Sequence, residues 1–284
     1  MESAQDNWPE APGSPVPHPI DRSVTIGVTR LDGVPLAKIT EQEVVDLVCE
    51  ELSAGRGGRI ATLNTERLRG LKRKPETWRL IQDGVLLVAD GMPLVWASRV
   101  QGDPLPGRVN GTNLLCALCE AASRKHVPIF LLGAPPGIAA AAAHNLREKY
   151  PDLSVYGTLS PPLGFDRQAE TMSELADTLA PMGPGVVFCA FGFPKEEMVM
   201  EYLSASNPDQ WFVTCGGSLE MIAHQVRRAP IWMQATGLEW LVRLAQEPRR
   251  LAGRYLRRDL PYLVGLMRRS TVVRYRSRGP ARSR

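Results

Sequence analysis

Long apolar segments are missing from this sequence. No stretch approaches the roughly 18–20 consecutive apolar residues that a membrane-spanning helix requires, although 44% of the residues are hydrophobic, a usual share for a globular protein. The first 21 residues contain acids and five prolines but no basic stretch followed by an apolar one, so we expect no secretory signal there. We predict that residues 1–21 form a disordered lead-in.

Nucleotide- and metal-binding patterns are also missing. The sequence has neither G-x-G-x-x-G nor G-x-x-x-x-G-K-[ST], which leaves a dinucleotide-binding fingerprint and an ATPase loop unsupported. It has no Asp-x-Asp pair, and its four histidines are scattered at His18, His126, His144 and His224. We therefore predict no catalytic metal and no cofactor.

The cysteines do not have the number or spacing of a disulfide framework or a zinc site. The five are an odd set spread through apolar segments. Cys116 and Cys119 make a C-x-x-C, but it lies within an amphipathic helical pattern, with no second C-x-x-C or His pair to complete a zinc site. Buried thiols in a reducing cytosol are the stronger interpretation.

Acidic residues are nearly absent from the C-terminal segment. From Pro248 to Arg284 the sequence has twelve Arg, no Lys and one acid, a formal charge of +11, whereas the whole chain carries only +4. The preceding 247 residues therefore carry about −7. An acidic body and a cationic tail preceded by Trp232 and Trp240 predict chemistry in the body and capture of an anionic surface or a polyphosphate by the tail.

In the body, short β-rich runs alternate with helical patterns. The predicted strands are Val24–Val28, Arg59–Leu63, Leu86–Ala89, Pro128–Leu132, Ser154–Tyr156, Val186–Phe191 and Trp211–Cys215. The predicted helices are Glu41–Ser53, Thr65–Lys72, Pro75–Gln82, Pro93–Val100, Thr112–Lys125, Ile138–Tyr150, Arg167–Leu179 and Lys195–Ser204. Continuous apolar strands separated by helices indicate an α/β fold, a Rossmann-like, doubly wound and mainly parallel sheet.

Residues that directly follow the strands are the candidates for chemistry, because ligands of such sheets bind at the carboxyl ends of the strands. Three Gly-containing turns follow predicted strands, at Gly133 and Gly137, at Gly192 and Lys195, and at Gly216 and Gly217. Free backbone N–H groups and a positive helix end at such turns suit a phosphate. Each of them could be a plain turn, but three at one edge of one sheet favour a diphosphate ligand.

Eight short motifs follow one another along the chain. They are Thr62-x-Asn64, Ala89-Asp90-Gly91, Arg108-x-x-Gly111-Thr112-x-Leu114-Leu115, Phe130 to Gly137, Gly192-x-Pro194-Lys195-x-Glu197, Gly216-Gly217, Arg227-Arg228-Ala229-Pro230-x-Trp232-Met233, and Leu238-Glu239-Trp240-Leu241-x-Arg243-Leu244-x-x-Glu247-Pro248-Arg249-Arg250. Any one of them is weak, but the ordered set, and above all the last two, is specific. Together they resemble the WecG/TagA/CpsF glycosyltransferases over about Val24 to Leu266.

The resemblance implies a bacterial enzyme that transfers a sugar from a nucleoside diphosphate donor, usually a UDP-sugar, to a polyprenyl-diphosphate-linked saccharide. Such enzymes work at the cytoplasmic face of the membrane, in the synthesis of cell-surface polysaccharides. They form the glycosidic bond with inversion and without a metal, which agrees with the missing Asp-x-Asp. The resemblance thus implies a cytoplasmic protein, peripheral on the inner face of the plasma membrane.

The resemblance also implies roles for Asp90, Thr62, Asn64 and Arg108. Asp90 matches the family's proposed general base, since an inverting transfer needs a carboxylate to take the proton of the acceptor hydroxyl. Thr62 and Asn64 match its Thr-x-Asn, where a hydroxyl and an amide can hold sugar hydroxyls. Arg108 matches its active-site arginine, whose planar fork can meet the charge of a leaving diphosphate. The alternatives are helix capping for Asp90, Thr62 and Asn64, and a solvated loop position for Arg108.

The chain departs from the family pattern at two places. Most relatives carry Gln where this chain has Glu196, a candidate catalytic residue whose added negative charge needs Lys195 or an arginine as a partner. An aromatic residue and Asp usually follow the Gly216-Gly217 pair, but Leu219 and Glu220 stand there. The donor sugar therefore stays open among UDP-ManNAc-like donors, UDP-ManNAcA and UDP-glucose.

The tail, from Trp232 to about Arg269, is similar to the family's C-terminal appendage, which helps to complete the active site and holds the membrane-bound acceptor. Its candidate residues for the lipid diphosphate or an anionic membrane are Arg243, Arg249, Arg250, Arg254, Arg257 and Arg258. A basic amphipathic helix suits an anionic membrane, while an ordinary surface helix packed on the body is the alternative. We predict a catalytic domain over residues 22–230, a basic helical appendage over 231–269 and a disordered basic tail over 270–284.

Two other functions stay open beside the glycosyltransferase. One is a non-catalytic sugar-nucleotide binder in a polysaccharide assembly, given the Glu196 and Glu220 departures. The other is a nucleic-acid-binding protein that uses the arginine tail, which the acidic body and the lack of a nucleic-acid motif disfavour. The sequence also leaves open whether the tail contacts a bilayer or a second copy of the chain in a homo-oligomer.

Overall fold

The computed structural model describes residues 26–81, 84–224, 229–230, 232–233 and 237–277. The predicted lead-in over residues 1–21, the Arg227-Arg228 pair and residues 278–284 lie outside this part of the chain. Of the predicted membrane-facing arginines, the side chain of Arg250 also lies outside it.

An antiparallel hairpin comes first, formed by β1 (Val28–Leu31) and β2 (Val34–Ala37). Its turn is Asp32-Gly33, with φ of 49° and 90°, the left-handed conformation that two-residue hairpin turns favour. The predicted strand Val24–Val28 is therefore wrong in position, because among the described residues only Val28 of that range lies in a strand. The Asp-Gly dipeptide was the signal for the hairpin.

Six parallel strands form the main sheet in the order β4-β3-β8-β7-β5-β6. The strands are β3 (Gly58–Leu63), β4 (Val85–Ala89), β5 (Ile129–Gly133), β6 (Val155–Leu159), β7 (Val186–Ala190) and β8 (Trp211–Thr214). Every residue of β3, β4, β5, β7 and β8 is buried, as expected for strands covered on both faces. The doubly wound, parallel α/β fold is thus confirmed.

Helices cover both faces of the sheet. In the body they are α1 (Glu41–Ser53), α2 (Thr65–Arg73), α3 (Met92–Gln101), α4 (Gly111–Lys125), α5 (Ile138–Lys149), α6 (Ala169–Leu179), α7 (Lys195–Ser206) and the short α8 (Ser218–Ile222). A capping box at Thr40 and Glu43 starts α1, and the Asn110 side chain caps α4. The predicted helical segment Pro75–Gln82 is a 3-10 helix over Pro75–Ile81.

The five cysteines are free thiols, of which Cys119, Cys189 and Cys215 are buried and Cys49 and Cys116 half-buried. Burial raises the pKa of the Cys119 and Cys189 thiols, so both stay protonated near neutral pH. No cluster of His, Cys, Asp or Glu with the makeup of a metal site occurs within the described residues.

The C-terminal segment is helical. It consists of α9 (Glu239–Gln246), α10 (Pro248–Arg254), a π-helical turn (Tyr255–Asp259) and α11 (Leu260–Ser277). Helix α11 packs on α3, and Leu251 and Leu266 are each only 1% exposed. In the described part of the chain, no helix combines the length and apolar character that crossing a membrane requires.

The predicted start of disorder at residue 270 is wrong for residues 270–277, which continue α11. Ser270 is 2% exposed, and the side chain of Arg274 lies beside Gly102 at the end of α3. Packing on the body therefore maintains the helix after its apolar pattern has faded, because tertiary contacts supply most of the stability of a protein helix.

Candidate active site

The carboxyl ends of β4, β3, β8, β7 and β5 lie side by side at one edge of the sheet. This order brings together predicted residues that are far apart in sequence. Asp90 follows β4, Asn64 follows β3, Gly216 follows β8 and Gly192 comes two residues after β7. We refer to this edge as the crevice, because the carboxyl ends of the strands are where ligands of open α/β sheets bind.

Asp90 points toward the start of α4. Its Oδ1 accepts hydrogen bonds from Asn110 Nδ2 at 2.9 Å and from the Gly111 backbone N at 3.3 Å. The N-cap of α3 is Gly91, so the alternative reading of Asp90 as that cap is wrong. Burial raises the pKa of Asp90 above its ordinary 3.8, and the guanidinium of Arg108 acts against this shift.

Arg108 is held by a residue of the C-terminal segment. Its Nη1 donates to Glu239 Oε2 at 3.1 Å, and the two side chains are only 13% and 10% exposed. Arg108 is therefore not a solvated loop arginine. The Glu239 charge raises the pKa of Asp90 while Arg108 lowers it, so Asp90, Arg108 and Glu239 of the appendage form one electrostatic unit.

Thr62 and Asn64 take different positions. Thr62 is 4% exposed, and its Oγ1 lies 3.1 Å from Thr214 Oγ1 on the neighbouring strand. Asn64 caps α2, with its Oδ1 accepting from the Arg67 backbone N at 3.0 Å, so the capping alternative is confirmed for Asn64. Asn64 also lies beside the turn that carries Asp90, since a Cβ added to Gly91 would be 3.6 Å from Asn64 Cα.

Glu196 lies beneath the crevice with no exposed surface. It forms an ion pair with Arg67, which also donates to Glu197 at 3.0 Å. Glu196 Oε1 accepts from the backbone N of Phe191 at 3.1 Å and of Gly216 at 2.8 Å. The carboxylate thus ties together the turns after β7 and β8, and its partner is an arginine rather than Lys195.

Lys195 points away from Glu196. Its Nζ donates to Asp166 Oδ1 at 2.7 Å and lies 5.5 Å from the ring centre of Phe165, within cation–π range. Lys195 therefore links the start of α7 to the turn after β6.

The predicted glycine turns have the backbone that glycine favours. The φ angles of Gly133, Gly137, Gly192 and Gly216 are 99°, 84°, 80° and 49°. A Cβ added to Gly137, Gly192 or Gly216 would meet nothing within 4 Å, so open space adjoins these turns.

Arg243 and Glu220 lie over the turn that follows β8. A Cβ added to Gly217 would be 2.9 Å from Arg243 Nη2 and 2.9 Å from Glu220 Oε2. The Nε of Arg243 is buried and has no hydrogen-bond partner within the described residues. Arg243, predicted as a membrane or lipid contact, therefore lies at the crevice.

The other appendage arginines have varied surroundings. Arg254 donates to Glu66 Oε2 at 2.8 Å, and its guanidinium lies 4.7 Å from the centre of the Tyr255 ring. Arg249, Arg257 and Arg258 are exposed. Large apolar side chains of the same segment are also exposed, namely Trp232, Trp240, Leu241, Leu256, Leu260, Val264, Val272, Val273 and Tyr275.

Comparison with known proteins identifies the family. The model of the Glycosyl transferase WecG/TagA/CpsF family matches residues 29–276. The chain is 27% identical over 199 residues to an N-acetylglucosaminyldiphosphoundecaprenol N-acetyl-beta-D-mannosaminyltransferase of Bacillus spizizenii, an alignment that covers 70% of this chain and 75% of that protein. The chain belongs to the WecG/TagA/CpsF family, and it is a glycosyltransferase.

Several residues of the site escaped the sequence analysis as functional candidates. They are Arg67, Asn110, Asp166, Glu197, Thr214 and Glu239. Asn110 directly precedes Gly111-Thr112, Glu197 ends the Gly192-x-Pro194-Lys195-x-Glu197 motif and Glu239 lies within Leu238-Glu239-Trp240, so position at a motif was the signal available for these three. Arg67 and Thr214 meet Glu197 only through the folding of distant segments.

Proposed function

We propose that this glycosyltransferase is inverting and metal-independent, and that it transfers a sugar from a UDP-sugar to a polyprenyl-diphosphate-linked saccharide. The observation that carries the proposal is the Asp90 carboxylate next to Arg108, at the same edge of the sheet as the glycine turns. The name of the Bacillus relative supports an N-acetylmannosaminyl donor and an acceptor that carries N-acetylglucosamine on diphosphoundecaprenol.

In the proposed reaction, Asp90 takes the proton of the acceptor hydroxyl as that oxygen attacks the anomeric carbon. A new C–O bond forms on one face of the sugar while the bond to the UDP oxygen breaks on the other, which inverts the anomeric configuration. Burial makes Asp90 a stronger base than an exposed carboxylate because it raises the pKa. Asn110 and Gly111 orient the carboxylate through Oδ1.

Positive charge must meet the diphosphate that leaves. Arg108 and Arg243 are the candidate groups, since both lie at the crevice and Arg243 Nε is without a hydrogen-bond partner in the described residues. An arginine fork is well suited to phosphate oxygens. In this proposal the backbone N–H groups of Gly192 and Gly217 add further donors, since the Gly216 N–H already donates to Glu196.

Thr62, Asn64 and Glu196 have supporting roles in this proposal. Asn64, beside the Asp90 turn, is placed to contact a sugar hydroxyl. Thr62 and Glu196 are buried, so we propose that both position the site rather than touch the substrate. The Glu196 carboxylate fixes two of the turns that would hold the diphosphate.

We propose that the appendage brings the enzyme to the inner face of the membrane, where a polyprenyl-linked acceptor resides. Exposed Arg249, Arg257 and Arg258 and the exposed Leu256 and Leu260 support this arrangement. Basic side chains attract anionic headgroups and apolar ones enter the interface. Arg254 contributes less, because it is paired with Glu66.

A donor screen tests the proposal. Purified protein is assayed with a panel of UDP-sugars and a synthetic polyprenyl-diphosphate saccharide, with and without EDTA. We expect transfer with one donor, unchanged by the chelator and with inverted anomeric configuration in the product. Transfer that requires added manganese or magnesium would contradict the metal-independent reaction. UDP binding without any transfer would instead favour a sugar-nucleotide binder, and equally tight binding to RNA and anionic liposomes without UDP affinity would favour a nucleic-acid-binding protein.

A further inference from the structure

A groove of about 790 Å³ lies between helix α2 and the C-terminal helices. Its lining consists of six basic residues and one tyrosine, namely Arg69, Lys72, Arg73, Arg257, Arg258, Tyr262 and Arg269. We refer to these seven residues as the basic groove. Two separate segments of the chain supply its two walls, so it is a feature of the folded protein rather than of the tail alone.

Neutralisation of the basic groove is incomplete. Asp32 pairs with Arg269 at 2.5 Å and with Lys72 at 3.4 Å, and Asp259 pairs with Arg69 at 3.1 Å. Two carboxylates thus serve three of the six cations.

The other three cations are exposed. Within the described residues, Arg73, Arg257 and Arg258 have no acidic group at ion-pair distance, and all three side chains face solvent. Like charges gathered in a concave site repel one another and favour the entry of an anion.

The two walls are fixed in place. Asp32, whose side chain is 6% exposed, accepts from Arg269 through both carboxylate oxygens and from the Tyr262 hydroxyl at 2.7 Å. The Arg69–Asp259 pair joins α2 to the π-helical turn. An anion would therefore enter a preformed site, which lowers the entropic cost of binding.

The basic groove is separate from the crevice. Helix α2 begins beside Asn64, but Lys72 and Arg73 lie in its last turn, about 12–13 Å further along the helix axis. The crevice arginines, Arg108 and Arg243, do not line the groove.

We propose that the basic groove is a second anion-binding site that takes a phosphate group, with helix α2 providing half of it. Arginine forks and a lysine ammonium suit phosphate oxygens. The phosphate could belong to a lipid headgroup or to a soluble phosphate. Leu256, Leu260 and Val264 are exposed at a spacing of four residues next to the groove, which favours the lipid source.

The test uses the full chain and changes only the α2 wall. The variant carries Lys72→Gln and Arg73→Gln, and the control carries Arg124→Gln and Arg147→Gln, two exposed arginines on α4 and α5 with the same loss of charge. Vesicles of phosphatidylglycerol and phosphatidylcholine, and inorganic pyrophosphate by calorimetry, are the ligands. Neither donor nor acceptor is present, so the result does not depend on the proposed transfer reaction. Far-UV circular dichroism checks that both variants are folded.

We expect the α2 variant to bind phosphatidylglycerol vesicles about tenfold or more weakly than the control. If only the binding to vesicles is weakened, the ligand is a lipid headgroup. If the binding to pyrophosphate is weakened as well, the groove is a site for phosphate in general. Binding within twofold of the control on both ligands would overturn the proposal, because the tail arginines would then act without α2. Wild-type protein that binds neither ligand would overturn it too.

Discussion

Beneath the crevice, Arg67 is enclosed with Glu196 and Glu197, whereas Arg73 and Arg258 in the basic groove face solvent without a carboxylate in the described part of the chain. The first arrangement holds every charge against a fixed partner, and one carboxylate, Glu196, holds the turns after β7 and β8 together. The second keeps charge open to an incoming anion. The buried charges therefore hold the turns of the crevice in place, whereas the exposed charges of the basic groove are available to bind an anion.

The largest expected effect is on chemistry in the crevice. Asp90→Asn should lower transfer by about 10²–10⁴-fold, because the amide cannot take the acceptor proton. The Asn side chain can still accept from Asn110 and Gly111, so the fold should persist. Transfer assays measure the loss and thermal unfolding serves as the control. Turnover near that of the wild type would remove Asp90 from the mechanism.

Removing Arg67 should affect stability most. Arg67→Met leaves two buried carboxylates without their cation, at a cost of about 3–5 kcal/mol in the free energy of unfolding. Arg73→Met is the matched control, since its exposed side chain should change that free energy by less than about 0.5 kcal/mol. Urea unfolding of both variants measures the difference. Equal effects would mean that the two kinds of charge are not distinct in energy.

Glu196→Gln keeps the shape of the buried side chain but removes its negative charge, so it tests what that charge contributes. The amide oxygen can still accept from Phe191 and Gly216, but the ion pair with Arg67 is lost. We expect a loss of about 1.5–3 kcal/mol in stability and a severalfold change in the KM of the donor or in donor choice. If neither the stability nor the KM and choice of the donor changes, Glu196 does not contribute to the site.

A smaller effect is expected where the appendage meets the base. Glu239→Gln removes a negative charge that raises the pKa of Asp90, so the pKa should fall. Activity rises with pH as Asp90 ionises, and the acidic limb of kcat/KM against pH should therefore move to lower pH. Arg249→Gln, an exposed change in the same segment, should leave the limb in place. An acidic limb that moves to higher pH, or does not move, would contradict the electrostatic coupling of Asp90, Arg108 and Glu239.

Local patterns in the sequence were enough for most of the fold. The apolar strands and the capped helix α1 were predicted at or near their observed bounds. Both leave local signals in the sequence: a buried strand is a short apolar run, and a helix begins after a capping residue. Of the crevice residues, Asp90, Asn64, Gly192 and Gly216 followed from strand ends and motifs. The hairpin was missed although Asp32-Gly33 signals it.

Contacts between distant segments could not be predicted. Arg67 and Glu196 are 129 residues apart, Arg108 and Glu239 are 131 apart, and Asp32 and Arg269 are 237 apart. No local period or motif indicates which charged side chains will meet after folding. For the same reason, the tail arginines seemed alike in the sequence, although Arg243 lies at the crevice, Arg254 is paired and Arg258 lines the groove.

The proposed reaction depends above all on Asp90 acting as the base next to a diphosphate held by arginines and glycine turns. A crystal structure with bound UDP tests it most directly. We expect the diphosphate within hydrogen-bond distance of Arg243 or Arg108, against the Gly216-Gly217 turn, with the Asp90 carboxylate facing the open side where a sugar would lie. UDP bound away from this edge of the sheet, or Asp90 directed away from the nucleotide, would contradict the account.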